Sequence, residues 1–102
     1  MSYIVSEYED LDKYQYNDGD IVYCKKNTRI WHNPYGPAYI DTYGSKSYYI
    51  NHKLHRLDGP ARIYWDGKVE YYINGKELSK EKFEIHSERL KYLGKEYLLC
   101  VL

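Results

Sequence analysis

Two histidines stand where chemistry could happen. His32 and His55 lie 23 residues apart, and Asp58 follows His55 by three. An imidazole beside a carboxylate can serve as acid and base, and a pair of imidazoles can hold a metal. His52 and His86 have no such companions in sequence. The chain contains no nucleophile elbow, no phosphate-binding glycine loop, no His-x-x-x-His and no Cys-x-x-Cys. His32 and His55 also share one position of a copied motif, and a residue copied with a repeat usually serves the fold. Each is expected to close a strand and hydrogen-bond the neighbouring turn. The sequence therefore predicts no enzyme, no metal site and no cofactor. Cys24 and Cys100 sit in apolar surroundings without metal-type spacing. They are expected to be reduced, buried or half-buried thiols of a cytosolic protein, with a disulfide between them as the alternative.

The copied motif is the strongest feature of the chain. Residues 32–54 read HNPYGPAYIDTYGSKSYYINHKL and residues 55–77 read HRLDGPARIYWDGKVEYYINGKE, with eleven identities in 23 aligned positions. A period near 23 is that of a small supersecondary unit, which cannot bury its apolar face alone and so needs a neighbour. Within 60–78, Ala61, Ile63 and Trp65, then Val69, Tyr71 and Ile73, alternate with Arg62, Tyr64, Glu70 and Tyr72, the period of a strand. A two-residue Asp66-Gly67 turn would set Ile63 opposite Glu70 and mix the faces. A three-residue loop, Trp65-Asp66-Gly67, instead pairs Ile63 with Val69, Ala61 with Tyr71 and Arg62 with Glu70. The next turn, Ile73-Asn74-Gly75-Lys76, has the type I′ signature. In the earlier copy His52 replaces Gly75 and must accept positive φ. Pro37 and Pro60 open strands, where a missing N–H costs little.

These signals predict a mainly β chain, an antiparallel meander of repeated hairpins with one short helix. A single domain, 1–102, is expected, with a degenerate unit at 14–31, repeats at 32–54 and 55–78, and a terminal segment at 79–102. YNDGDIVYC at 16–24 echoes YWDGKVEYY at 64–72. Ser79 before KEKFE reads as an N-cap with a helix over 80–86 and Phe83 turned inward. RLKYLGKEYLLCVL is expected to form a last hairpin around Gly94, ending in the strand Tyr97–Val101, with a helix broken at Gly94 as the alternative.

The string N-G-K, H-R-x-D-G-P-A, a D-G hairpin and Y-Y-I-N-G-K resembles the MORN-variant hairpin repeats. It looks especially like small proteins of bacteriophages and large DNA viruses, in which NGxxHRxDGPA units are strung together. N-G-K-E-L-S-K-E-K-F resembles the way such arrays end. The likeness covers about 30–84, and the first copy departs from it at Asn33-Pro34-Tyr35, where Arg-x-Asp is the pattern. It implies an architecture and a viral, host-directed setting, and it implies no particular reaction. A weaker likeness to tyrosine-rich cell-wall-binding repeats lacks their Gly-Trp openings.

Composition narrows the partners. Leu, Ile, Val and Phe number only 22, while fifteen Tyr and two Trp supply large apolar bodies with polar tips. Fifteen basic and fifteen acidic residues balance. Such a total indicates neither a basic nucleic-acid binder nor an acidic mimic. No apolar run reaches eighteen residues and the first fourteen are acidic, against a membrane span or a basic-headed signal peptide. The sequence places Ile40, Tyr48, Ile63, Val69 and Tyr71 toward the core. Tyr39, Asp41, Tyr49, Arg62, Tyr64, Glu70 and Tyr72 then share the other face. Tyrosines give contact area at low entropy cost and charges set register, the chemistry of a protein-binding surface. Expected protein-binding residues are Tyr39, Tyr49, Arg62, Tyr64, Glu70 and Tyr72. Taken with the resemblance to phage and viral repeat proteins, which implies the setting, the expected role is a cytoplasmic, phage-encoded module that binds and inhibits a host protein, such as a defence component. The alternatives are a single-stranded nucleic-acid platform using the same tyrosines, which the sparse cations disfavour, and a self-associating structural protein.

Overall fold

Hairpins build almost everything in this chain. The computed structural model describes residues 2–5, 8–95 and 98, the first four as backbone alone. Among them run β1 (Ser2–Val5), β2 (Leu11–Tyr16), β3 (Ile21–Lys25), β4 (Tyr39–Ile40), β5 (Lys46–Ser47), β6 (Tyr49–Ile50), β7 (Lys53–Leu54), β8 (Arg62–Ile63), β9 (Val69–Ile73) and β10 (Lys76–Leu78). The helices α1 (Lys80–Glu84) and α2 (Ser87–Tyr92) follow as one bent helical segment. Eight strands join in the order β1-β2-β3-β4-β5-β8-β9-β10, and β6 and β7 pair separately. Every pairing is antiparallel.

One loop design recurs along an end of the sheet. The N–H groups of Gly19, Gly44 and Gly67 donate to the carbonyls of Tyr16, Asp41 and Tyr64 at 3.0, 3.1 and 2.9 Å. Each closes a three-residue loop. Gly67 has φ +90°, a region that a side chain resists, and this fixes the register in which Arg62 faces Glu70 and Ile63 faces Val69. At the other hairpins, Asn74 and Gly75 have φ +52° and +81°, and Asn51 and His52 have +50° and +68°. These are the positive angles of a type I′ turn, so His52 does hold a backbone that glycine takes in the next copy.

Equivalent positions of the two copies make equivalent hydrogen bonds. Ala38 and Ala61, both fully buried, donate to Ser47 and Glu70 and accept from Tyr23 and Tyr48. Each alanine thus ties the backbones on either side of it together. The first copy's departure from the repeat is compensated locally. Arg56 Nη1 donates to the Pro60 carbonyl at 3.1 Å, and Asn33 Nδ2 donates to the Pro37 carbonyl at 3.0 Å. A short amide does the work of a guanidinium.

The molecule measures 53 × 31 × 18 Å. With stacked sheets standing about 10 Å apart, 18 Å accommodates one sheet and its side chains. Burial is correspondingly sparse. Leu11, Val22, Tyr23 and Cys24 are buried toward one end, and Ile73, Phe83 and Leu90 toward the other. Of the residues assigned to the core, Ile40, Tyr48, Ile63 and Tyr71 are half-buried, and Val69 is 39% exposed. The fold class matches the expectation, but the core face is only partly covered, because α1 reaches Tyr71 and extends no further along the sheet. Phe83 packs on Tyr71 with ring centres 4.7 Å apart.

Ser79 caps α1 by accepting from the Lys82 N–H. The expected hairpin around Gly94 is replaced by α2. His86 caps its start, and Gly94, at φ +72°, ends it as Gly94 and Lys95 donate back to Lys91 and Leu90. This double bond-back is a Schellman ending, which a glycine favours as strongly as it favours a hairpin turn. Apart from Leu98, the expected strand Tyr97–Val101 lies outside the described residues. Cys24 is a buried free thiol, its ionisation pushed up by burial, and Cys100 also lies outside them. No helix among the described residues is long and apolar enough to cross a membrane.

Candidate functional site

Opposed residues of neighbouring strands, and residues two apart along a strand, share a face. Val22, Tyr39, Ser47, Arg62 and Glu70 lie opposite one another across β3, β4, β5, β8 and β9. Tyr64 and Tyr72 extend that row by two. Tyr71, on the other face, carries Phe83 and the helices. The side holding the expected binding residues is therefore opposite the one on which α1 packs.

Arg62, Tyr64, Glu70 and Tyr72 form one network. The Tyr64 hydroxyl donates to Glu70 Oε1 at 3.0 Å, and Arg62 Nη1 stands 3.8 Å from the same oxygen. The guanidinium lies 5.9 Å from the Tyr64 ring centre. Burial opposes the Arg62 charge. The phenols of Tyr64 and Tyr49, the Glu70 carboxylate and a hydrogen bond with Tyr72 outweigh it and hold Arg62 above its ordinary value. Burial and the Glu70 bond push the Tyr64 phenol up. Each member fixes the others, which reduces the entropy lost on contact with a partner.

Tyr39 and Tyr49 join a second patch, organised by a residue that sequence reasoning passed over. Trp31 pairs with Cys24 in an isolated bridge, which puts its indole on this face. Its ring centre is 5.2 Å from Tyr39, 5.1 Å from Tyr49, edge-on, and 5.8 Å from the His52 imidazole. The Tyr39 hydroxyl bonds to Asp20 Oδ2 at 3.1 Å, and burial together with this bond raises the phenol to about 12. Asp41 reaches the second patch only through its charge, which adds to the rise of the Tyr39 phenol. Its Oδ1 accepts from the Tyr43 and Ser45 N–H groups and ties its own loop. In the alignment Trp31 corresponds to Leu54 and His52 to Gly75, which does not mark either as a partner of the tyrosines.

The histidines act as acceptors. His32 Nδ1 takes the Asn51 N–H at 3.0 Å and His55 Nδ1 takes the Asn74 N–H at 2.9 Å. These are the turn contacts expected of them. Burial, with Lys25 nearby, lowers the His32 pKa against the pull of Asp10. Burial also lowers that of His55, with Glu88 opposing and His86 assisting. Asp58 is engaged by Arg56 Nε at 2.9 Å. Among the described residues, no group of three His, Cys, Asp or Glu side chains is arranged to hold a metal. A groove of about 430 Å³ opens beside these loops, lined by Tyr35, Tyr48, His55, Arg56 and Tyr92 among others.

Compared with protein-family profiles, with curated proteins and with solved structures, the chain has no significant match.

Proposed function

We propose that this chain is a non-enzymatic protein-binding module. Its contact surface is the helix-free sheet face, with Tyr49, Tyr64 and Tyr72 as anchors and Arg62 and Glu70 giving specificity. One observation carries the reading. Among the described residues, α1 packs on Tyr71's side, and the two ordered aromatic patches lie on the other. Half-buried, mutually bonded tyrosines around one ion pair offer area, register and little freedom to lose. The repeat strings resemble those of phage and viral MORN-variant proteins. On that likeness the partner is a host protein, a defence component first among them, met in the cytoplasm of an infected cell. Nucleic acid is the weaker reading, because Arg62 is the one cation among the face residues named above.

The test is capture from a bacterial lysate by the tagged chain, with and without nuclease. A nuclease-resistant partner that is lost from a Tyr64→Ala, Tyr72→Ala variant with an intact fold is the expected result. Recovery of nucleic acid alone, or of a partner that the double variant retains, overturns the proposal.

A further inference from the structure

Within the proposed binding face, Trp31 is held by one imidazole, and a second ties down the residue beside it. His52 Nδ1 accepts the Trp31 N–H at 3.1 Å, and the His52 N–H donates to the Trp31 carbonyl at 2.7 Å. One residue along, His32 Nδ1 accepts the Asn51 N–H. The segments 31–32 and 51–52 are thus laced by three hydrogen bonds, two of them ending on imidazole nitrogens. The following copy keeps the backbone bond, from Gly75 to Leu54 at 2.8 Å, and the imidazole bond, from Asn74 to His55 Nδ1 at 2.9 Å, and lacks only the counterpart of the His52 side-chain bond. There the turn residue is glycine and no indole has to be held.

His52 sits at φ +68°, where glycine would rest without strain. A β-carbon is kept there at a conformational cost, and what it supplies is the acceptor for Trp31. We propose that His52 is a positioning residue, which with His32 clasps Trp31 onto Tyr39 and Tyr49 and releases it when the imidazoles take up protons. The inference rests on the reading of this face as the contact surface.

The chemistry has one direction. A neutral imidazole accepts at Nδ1 only while its proton is on Nε2, and a second proton turns Nδ1 into a donor aimed at another N–H. Protonation of either imidazole therefore removes its side-chain bond, and with both lost one backbone bond is left. The groups around His32 oppose its protonation on balance. Lys25 faces His32 and works with burial against its charge, and Asp10 favours it. His52 faces the Tyr49 phenol and the Trp31 ring. Lys53 follows it in the chain and lays its aliphatic stem along Gly75.

Trp31 reports on its own clasp once Trp65, which is 71% exposed at a loop tip, is changed to Phe. In that parent, Trp31 emission is expected to move to longer wavelength between pH 7.5 and pH 5 while the far-ultraviolet circular dichroism stays constant. Asn places Oδ1 where histidine carries Nδ1, tolerates positive φ and does not titrate. A His32→Asn, His52→Asn variant should therefore hold the neutral-pH emission throughout. His52→Gly should show the acid-type emission already at pH 7.5. The proposal is overturned if His52→Gly matches the parent at pH 7.5, if the asparagine variant keeps the parent's pH profile, or if the dichroism collapses along with the shift. No partner is present in this assay, so its failure is distinct from that of the binding proposal, which the Tyr64/Tyr72 capture decides.

Discussion

Arg56 gives the sharpest test of how the two copies are built. Its Nη1 reaches the Pro60 carbonyl, its Nε reaches Asp58, and its guanidinium carbon lies 4.1 Å from the Tyr48 ring centre. A hydrogen bond from a charged donor contributes about 1.5–3 kcal/mol. A cation over an exposed aromatic ring adds roughly 0.5–1 kcal/mol. The Asp58 pair adds at most about 1 kcal/mol, and less here because the Asp58 side chain is 53% exposed. Arg56→Ala should thus destabilise by about 3 kcal/mol. For a domain of this size that lowers Tm by on the order of 10–20 °C. Arg56→Asn recreates what Asn33 does in the other copy, an amide donor to the proline carbonyl, and should recover about 1 kcal/mol of that loss. Gly59 belongs to the same device, since a β-carbon there would meet the guanidinium carbon at 3.1 Å. The equivalent atom at Gly36 would find the Asn33 amide at 4.0 Å. Gly59→Ala should therefore destabilise more than Gly36→Ala. Urea and thermal unfolding followed by circular dichroism measure all four. Equal stabilities for Arg56→Ala and Arg56→Asn, or a loss below about 0.5 kcal/mol for the alanine variant, would refute the reasoning.

Two further outcomes follow from burial and charge. Phe83 is 2% exposed between Tyr71 and the Arg89 guanidinium, so Phe83→Ala should cost about 3–5 kcal/mol and detach the helices. Urea unfolding measures it, and a loss under about 1 kcal/mol would show that the helices do not depend on that contact. His55 binds its proton less readily folded than unfolded, so the unfolded state gains protons first as pH falls. Stability is then full above the ordinary imidazole range and declines as pH drops through it, by at most about 1.4 kcal/mol per pH unit. Solvent at this half-buried site reduces that figure. His55→Asn, which keeps an acceptor for the Asn74 N–H, should flatten the decline between pH 7 and 5, and an unchanged slope would count against it.

Hairpin register was legible because it follows from local rules. Gly67 and the Asn74-Gly75 pair permit few backbones, and alternation in 61–73 then decides which side chains share a face. His32 and His55 were legible as turn acceptors for the same reason, since a copied residue beside a copied turn has one nearby N–H to meet. Three features were not legible. Val69 alternates like a core residue, yet nothing in its own strand says where α1 will stop. Gly94 suits a hairpin turn and a helix end equally, and the burial of Leu90 in α2 is not announced by its own spacing. Trp31 is placed by long-range contacts, a bridge to Cys24 and a bond from His52, which neither periodicity nor turn chemistry encodes.

The central claim is that the helix-free face is the contact surface. It is tested most directly by capturing partners from one lysate in parallel with the unaltered chain, with Tyr64→Ala, Tyr72→Ala, and with an opposite-face control, Lys46→Ala, Val69→Ala. All three must be shown folded by circular dichroism. The expected result is a nuclease-resistant partner held by the unaltered chain and by the opposite-face variant but lost from the tyrosine variant. Retention by the tyrosine variant, or equal loss from both, would contradict the claim.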